Sequence, residues 1–203
     1  MILSVNNLAV INSAEIELNG ITVIAGKNGT GKSTIGKALY CLGRTFYRAD
    51  DKVREEMKRQ ILFIIRNALI REIGKVLRLS YSNEVDEIID NYYETGTLNL
   101  PKQIMESGLD SSELEELKEK IKEVLNIDSK TVLSSLLDRT FQSEFGDKVS
   151  PINDPELDTQ LELKWNDSGF LNVRKTKGQT PEIQIKKALD SVSHCSMSFI
   201  PAA

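Results

Sequence analysis

Nine consecutive residues have the types and spacing to hold a phosphate chain: Gly26-Lys27-Asn28-Gly29-Thr30-Gly31-Lys32-Ser33-Thr34. They satisfy the pattern G-x-x-x-x-G-K-[ST], and each residue type has a physical task. Gly26, Gly29 and Gly31 permit backbone conformations closed to residues with a Cβ and let the chain approach a phosphate closely. The loop amides then serve as inward donors, and a helix starting near Lys32 adds its positive N-terminal end. Lys32 can place an ammonium on the β- and γ-phosphates, which makes it the catalytic candidate, and the Ser33 hydroxyl can ligate Mg²⁺. The expected binding set is Gly26, Asn28, Gly29, Thr30, Gly31, Lys32, Ser33 and Thr34. A glycine-rich turn with no ligand is the plain alternative, but all the motif positions fit and so does their context.

That context is the set of elements that must position the loop. Ile21-Thr22-Val23-Ile24-Ala25 reads as a fully apolar strand leading into it. A helix is expected from about Lys32 to Phe46, with Ile35, Leu39 and Leu42 on one face. Upstream, residues 2–10 read as a short strand, Ala14–Leu18 alternates at period two, and Asn19-Gly20 marks a tight turn.

At 203 residues and 40% hydrophobic content, the chain is long enough for one large domain with a core. Its net charge of −4 gives no global attraction to nucleic acid or to an anionic membrane. The two cysteines, Cys41 and Cys195, form no CxxC and suit a reducing compartment. No signal peptide is expected, and no apolar run approaches the ~20 residues that span a bilayer. The expected location is the cytoplasm.

Residues 7–18 (Asn-Leu-Ala-Val-Ile-Asn-Ser-Ala-Glu-Ile-Glu-Leu) followed by Ile21–Thr34 resemble the N-terminus of SMC/RecF-like ABC ATPases. They are most similar to the "AAA family ATPases" of bacteria and archaea that sit near the OLD family. The loop comes early, after a β-hairpin, and Asn28 stands in the G-x-N-G-x-G-K-S-T string that this class favours. The resemblance implies ATP and Mg²⁺ as cofactors, ATP sandwiched between two heads of a homodimer, and work on DNA in repair or in defence against phage and other foreign DNA. It also implies that Gln142 is the loop glutamine that touches Mg²⁺ and the attacking water; a plain helix-end glutamine is the competing reading. Relatives often carry an Arg in the first strand turn, where this chain has Leu8-Ala9-Val10.

Downstream, residues 47–79 show a helical pattern with Val53, Met57, Ile61, Ile64 and Ala68 on one stripe. Arg48, Lys52, Arg59 and Arg66 share another, more simply a solvated face than a nucleic-acid surface. Asn83 is a candidate cap for a helix holding Val85, Ile88, Ile89 and Tyr92. Asp110-Ser111-Ser112-Glu113 is a capping-box start for a helix with Leu114, Leu117, Ile121 and Val124 inward. Ser129 is the candidate cap of the next helix, with Val132, Leu133, Leu136, Leu137 and Phe141 inward. Gln160–Trp165, a turn at Asn166–Gly169, and Phe170–Arg174 form an antiparallel hairpin with Trp165 in the core. Thr180-Pro181-Glu182 signals a helix to about Ser191, before an apolar strand at Met197–Ile200.

The expected fold is α/β, the N-terminal lobe of a P-loop NTPase, with a mixed sheet and a helical insert. Residues 1–46 form the hairpin and the strand–loop–helix, 47–146 the insert, and 147–203 the elements returning to the sheet. No apolar strand ending in Asp-Glu is visible; Val85–Asp90 reads as helix. The Leu-Ser-Gly-Gly signature is also missing, and His194 is expected to be structural. These pieces belong to the C-terminal half of the resembled family, so the chain is expected to be truncated at 203, with hydrolysis needing that C-terminal ATPase half. With no N-K-x-D motif to read guanine, ATP is favoured. Two alternatives stay open: a small-molecule or nucleoside kinase with the insert as a lid, and a nucleotide-gated interaction module without enzymatic activity.

Overall fold

Alternating apolar residues in three central strands and two edge strands build the layer that carries the loop. A computed structural model describes residues 1–73, 82–165 and 169–186. The strands are β1 (Ile2–Leu8), β2 (Ile11–Glu17), β3 (Thr159–Trp165), β4 (Gly169–Lys175) and β5 (Glu182–Lys186), ordered β2-β1-β3-β4-β5. Register aligns one residue per strand into two apolar rows. One row is Ile16, Leu3, Leu163, Leu171 and Ile185; the other is Ala14, Val5, Leu161, Val173 and Ile183. A slip of one residue would turn either row to the opposite face, so the pattern fixes the pairing. In the central strands Leu3, Val5, Leu161, Leu163, Leu171 and Val173 are buried, as is Trp165.

The chain divides into two compact units. Residues 1–49 and 130–203 form the first, which holds the sheet, α1 (Lys32–Phe46) and nearly all of α6 (Ser129–Phe145). Residues 50–129 form the second, with α2 (Ala49–Ile73) but for its first residue, α3 (Ser82–Thr95), α4 (Lys102–Met105) and α5 (Ser111–Leu125).

Three expectations about strands are corrected. Every pairing among the described residues is antiparallel, so that sheet is not mixed. The short connections β1–β2, β3–β4 and β4–β5 permit hairpins, whereas a parallel pair needs a long crossover. Ile21–Ala25 is not a strand: Ile21 is 94% and Val23 82% exposed, and none of the five described strands pairs with it. An apolar run becomes a buried strand only with ladder partners on its flanks. Third, Glu182–Lys186 is strand rather than helix. Its polar–apolar alternation lets Ile183 and Ile185 extend the two rows, and Pro181 just outside the ladder costs it no hydrogen bond. The rest of the expected helix, the turn at 166–168, Leu77–Ser80, His194, Cys195 and the expected strand Met197–Ile200 lie outside the described residues.

In the second unit, α2 buries Val53, Met57, Ile61, Ile65 and Leu69. The expected stripe is right for three positions and displaced by one at Ile64 and Ala68, which are half-buried. A strict i+4 row slants around the helix, and the packed face follows that row rather than the i+3 step. Asp86, in the acidic stretch of α3, is held by Arg54 at 3.4 Å and Lys58 at 2.5 Å, and Asp90 by Arg54 at 2.6 Å. These carboxylates therefore tie α3 to α2. α3 starts at Ser82, which puts Asn83 inside its first turn rather than at the cap. The capping box of α5 is present: Glu113 N donates to Asp110 Oδ1 at 2.9 Å, and Asp110 N donates to Glu113 Oε2 at 2.7 Å. Arg59 is exposed, but the carboxylate it pairs with at 2.8 Å, Glu56, is buried.

Candidate functional site

The glycine-rich loop lies within the first unit, between β2 and α1. Its curl is closed by its own side chains. Lys32, the first residue of α1, donates from Nζ to the carbonyls of Gly26 at 2.7 Å and Lys27 at 2.6 Å. Thr30 Oγ1 donates to the Lys27 carbonyl at 2.8 Å. Residues 26–30 are exposed, as is Ser33, while Gly31 is buried.

Gly31 decides how the loop meets the helix. Its φ is 91°, in the left-handed region, and a Cβ there would sit 2.7 Å from Ile11 Cγ1. Only glycine satisfies both the dihedral and the contact. As the N-cap of α1 it offers no side chain to the first-turn amides, and that turn carries no acidic residue. The amides at the start of α1 thus keep their donor capacity, and the helix dipole there is not offset by a carboxylate. The result is an exposed loop leading into an uncapped helix start, with the Lys32 ammonium against the loop and an exposed hydroxyl at Ser33. Such a set suits an anion with several oxygens.

The platform beneath α1 comes from distant residues. The helix packs on β1, burying Ile35, Ala38, Leu42 and Phe46. On α6, the Glu144 carbonyl accepts from Lys37 Nζ, whose ammonium also lies 5.7 Å from the centre of the Phe145 ring. Cys41 Sγ approaches the Thr140 carbonyl at 3.8 Å. Burial, and secondarily the nearby Glu144, push the Cys41 thiol up to about 12. The thiolate is the reactive form. Cys41 is therefore expected to resist iodoacetamide at pH 8 in the native protein and to be modified once the fold is lost in urea. Peptide mass mapping would read this, and equal labelling in both states would contradict it.

Sequence spacing brings Gly26–Thr34 together, and the structure gathers the same residues into one curl. Gln142 is placed differently: it is an exposed residue of α6 and not a loop residue. The helix runs unbroken to Phe145 and ends at Gly146, whose φ of 58° supplies the left-handed stop. Sequence reasoning does not place Val10 or Ile11 against Gly31. That contact joins residues some twenty positions apart, for which no local pattern exists.

A family model described as "AAA domain" matches residues 3–191. The chain belongs to this AAA domain family. Neither the curated proteins nor the solved structures gave a match. For this AAA domain, membership means a P-loop NTPase with a nucleotide-binding, ATPase-like function, in a family that generally binds ATP with Mg²⁺. The match takes in β1, the loop and α1 as well as the later strands. Among the described residues no group of three or more His, Cys, Asp or Glu could hold a metal, and no helix is long and apolar enough to cross a membrane.

Proposed function

We propose that the chain binds Mg²⁺–ATP through Gly26–Thr34 as the Walker A half of an SMC/RecF-like ABC ATPase. The observation that carries this reading is the left-handed Gly31 at the head of α1, with the Lys32 ammonium folded over the loop. The residues fit the group: the first turn of α1 has no side-chain cap on its amides and no carboxylate to oppose an anion, and Ser33 is exposed beside Lys32. When bound, Mg²⁺–ATP supplies the phosphoanhydride and the cation that offsets its charge. Lys32 exchanges two neutral carbonyl acceptors for charged phosphate oxygens, which are stronger partners. Ser33 offers its hydroxyl to the metal. The amides of Asn28, Gly29, Thr30, Gly31 and Thr34 hold the phosphate chain in place, and Gly26 lets the loop fold back.

In this reading hydrolysis needs a C-terminal ATPase lobe and a partner head, with ATP sandwiched in a homodimer. The setting is a cytoplasmic one, in DNA repair or defence against foreign DNA. The resemblance of residues 7–34 supports these finer points. Gln142 remains the candidate for the attacking water and Mg²⁺. Single-turnover assays with γ-labelled ATP test the assignment. The expected result for the 203-residue chain is bound, unhydrolysed ATP. Phosphate transfer to an added nucleoside or other acceptor would favour a kinase and overturn the proposal.

A further inference from the structure

The turn between β1 and β2 is held in an unfavourable conformation beside the glycine-rich loop. Asn7 has φ 55° and Ala9 φ 50°, although neither is glycine. Such conformations persist when the surroundings over-determine them, and they concentrate at functional sites. Here the surroundings are four hydrogen bonds to a segment some 140–150 residues away, with a fifth inside that segment bracing it. Ala9 N donates to Val149 O at 3.1 Å, and Ile152 N donates to Ala9 O at 2.9 Å. Asn7 Nδ2 donates to Asp158 O at 3.2 Å. Thr159, only 1% exposed, directs its hydroxyl to Asn7 O at 2.6 Å and to Val149 O at 3.2 Å.

Immediately after Ala9 come the two side chains that meet Gly31. Where a Gly31 Cβ would lie, Ile11 Cγ1 is 2.7 Å away, and Ile11 Cδ1 and Val10 Cγ2 are each 3.2 Å away. Ile11 is also paired with Leu8 across the turn. A continuous path therefore runs from the Thr159 hydroxyl through Asn7 and Ala9 to Ile11, Gly31 and the first turn of α1. The geometry points to Thr159 as a positioning residue for the nucleotide loop: its hydroxyl fixes the β1–β2 turn, and the turn fixes Gly31. This rests on the reading of Gly26–Thr34 as the nucleotide site. The hydroxyl of Thr159 bonds to Asn7 and Val149 rather than to the loop, so it acts through the turn.

The test compares Thr159→Val, which keeps the shape and removes the hydroxyl, with Thr159→Ser, which keeps the hydroxyl. Amide hydrogen exchange in the nucleotide-free chain is read at residues 35–38, the first bonded amides of α1, beginning with Ile35 N to Gly31 O, with α5 as the internal reference. Thr159→Val is expected to speed exchange at 35–38 by roughly tenfold, the scale of losing one buried hydrogen bond, and Thr159→Ser to restore it. The same pair is then titrated with Mg²⁺–ATP, where Thr159→Val is expected to weaken binding by roughly tenfold and Thr159→Ser to bind like the native chain. If Thr159→Val melts earlier yet exchanges at the native rate at 35–38 and binds ATP normally, the threonine is structural only and the inference fails. Should Thr159→Val not fold, Ile11→Val shortens the side chain under Gly31 and must raise exchange at 35–38; a native rate there overturns the inference. A native chain that binds no ATP would defeat the functional reading, and the exchange data would still decide this one.

Discussion

Lys32→Ala is expected to weaken ATP binding by at least roughly 100-fold, because about 3 kcal/mol of charge-assisted hydrogen bonding to phosphate is removed. The fold should survive. The ammonium contacts only the Gly26 and Lys27 carbonyls of its own exposed loop, which water can satisfy in its place. A change of about 1 kcal/mol at most follows, or roughly 2–4 °C in Tm for a chain of this length. Titration calorimetry read beside a thermal melt separates the two effects. Native affinity in Lys32→Ala would remove Lys32 from the site, and a collapse in Tm would mean that the lysine is a structural residue.

Gly31→Ala should have the largest effect on stability within the loop. Two independent costs meet at that position. A residue with a Cβ in the left-handed region costs about 1–2 kcal/mol. Forcing the methyl against Ile11 and Val10 adds about 1–3 kcal/mol of overpacking, since the nearest atom would be only 2.7 Å away. Ile11 is 7% exposed and paired within the hairpin, so it has little room to retreat. Gly29 is the control: its φ is 81°, but a Cβ there would meet nothing within 4 Å. Gly29→Ala should therefore show the conformational cost alone, about 1–2 kcal/mol. Melting temperatures of the two variants test the difference. Equal shifts would show that Ile11 and Val10 do not press on Gly31.

The hairpin β3–β4 was legible because period-two alternation and turn residues coincide in it. In β1–β2 the alternation was legible but not the turn. The strand expected over residues 2–10 runs through the turn at Ala9-Val10, which carries no Gly, Pro, Asn or Asp. Leu161, Leu163 and Trp165 share one face in the sequence and one buried face in the fold. β5 was misread because Thr180-Pro181-Glu182 carries a helix-start signal. The alternation that overrides it is only five residues long and gains its meaning from β4. Ile21–Ala25 shows the converse. Its composition is that of a strand, but a strand is a relation between segments, and none of the described strands supplies the partner. In the second unit the helical stripe was readable to Ile61, after which the i+4 slant carried the buried face to Ile65 and Leu69.

The site divides in the same way. The residues that would touch phosphate are adjacent in the chain, and their motif names them. The residues that hold them are not: Ile11 lies twenty positions before Gly31, and Thr159 reaches Asn7 across 152 positions. Lys37 and Cys41 lean on the far end of α6, at Glu144 and Thr140. Motif reading locates a loop, whereas the contacts that give the loop its shape exist only in the folded chain.

The most direct test of the account is a thermal melt of the 203-residue chain titrated with Mg²⁺–ATP. A ligand bound only by the folded state stabilises it by about 2.7 kcal/mol at 100 times Kd. That should raise Tm by roughly 5–10 °C. The same titration should leave Lys32→Ala unmoved, and GTP should shift the native chain less than ATP. No Mg²⁺–ATP-dependent rise in the native chain up to the millimolar range, or an equal rise in Lys32→Ala, would contradict the claim that Gly26–Thr34 is a nucleotide site.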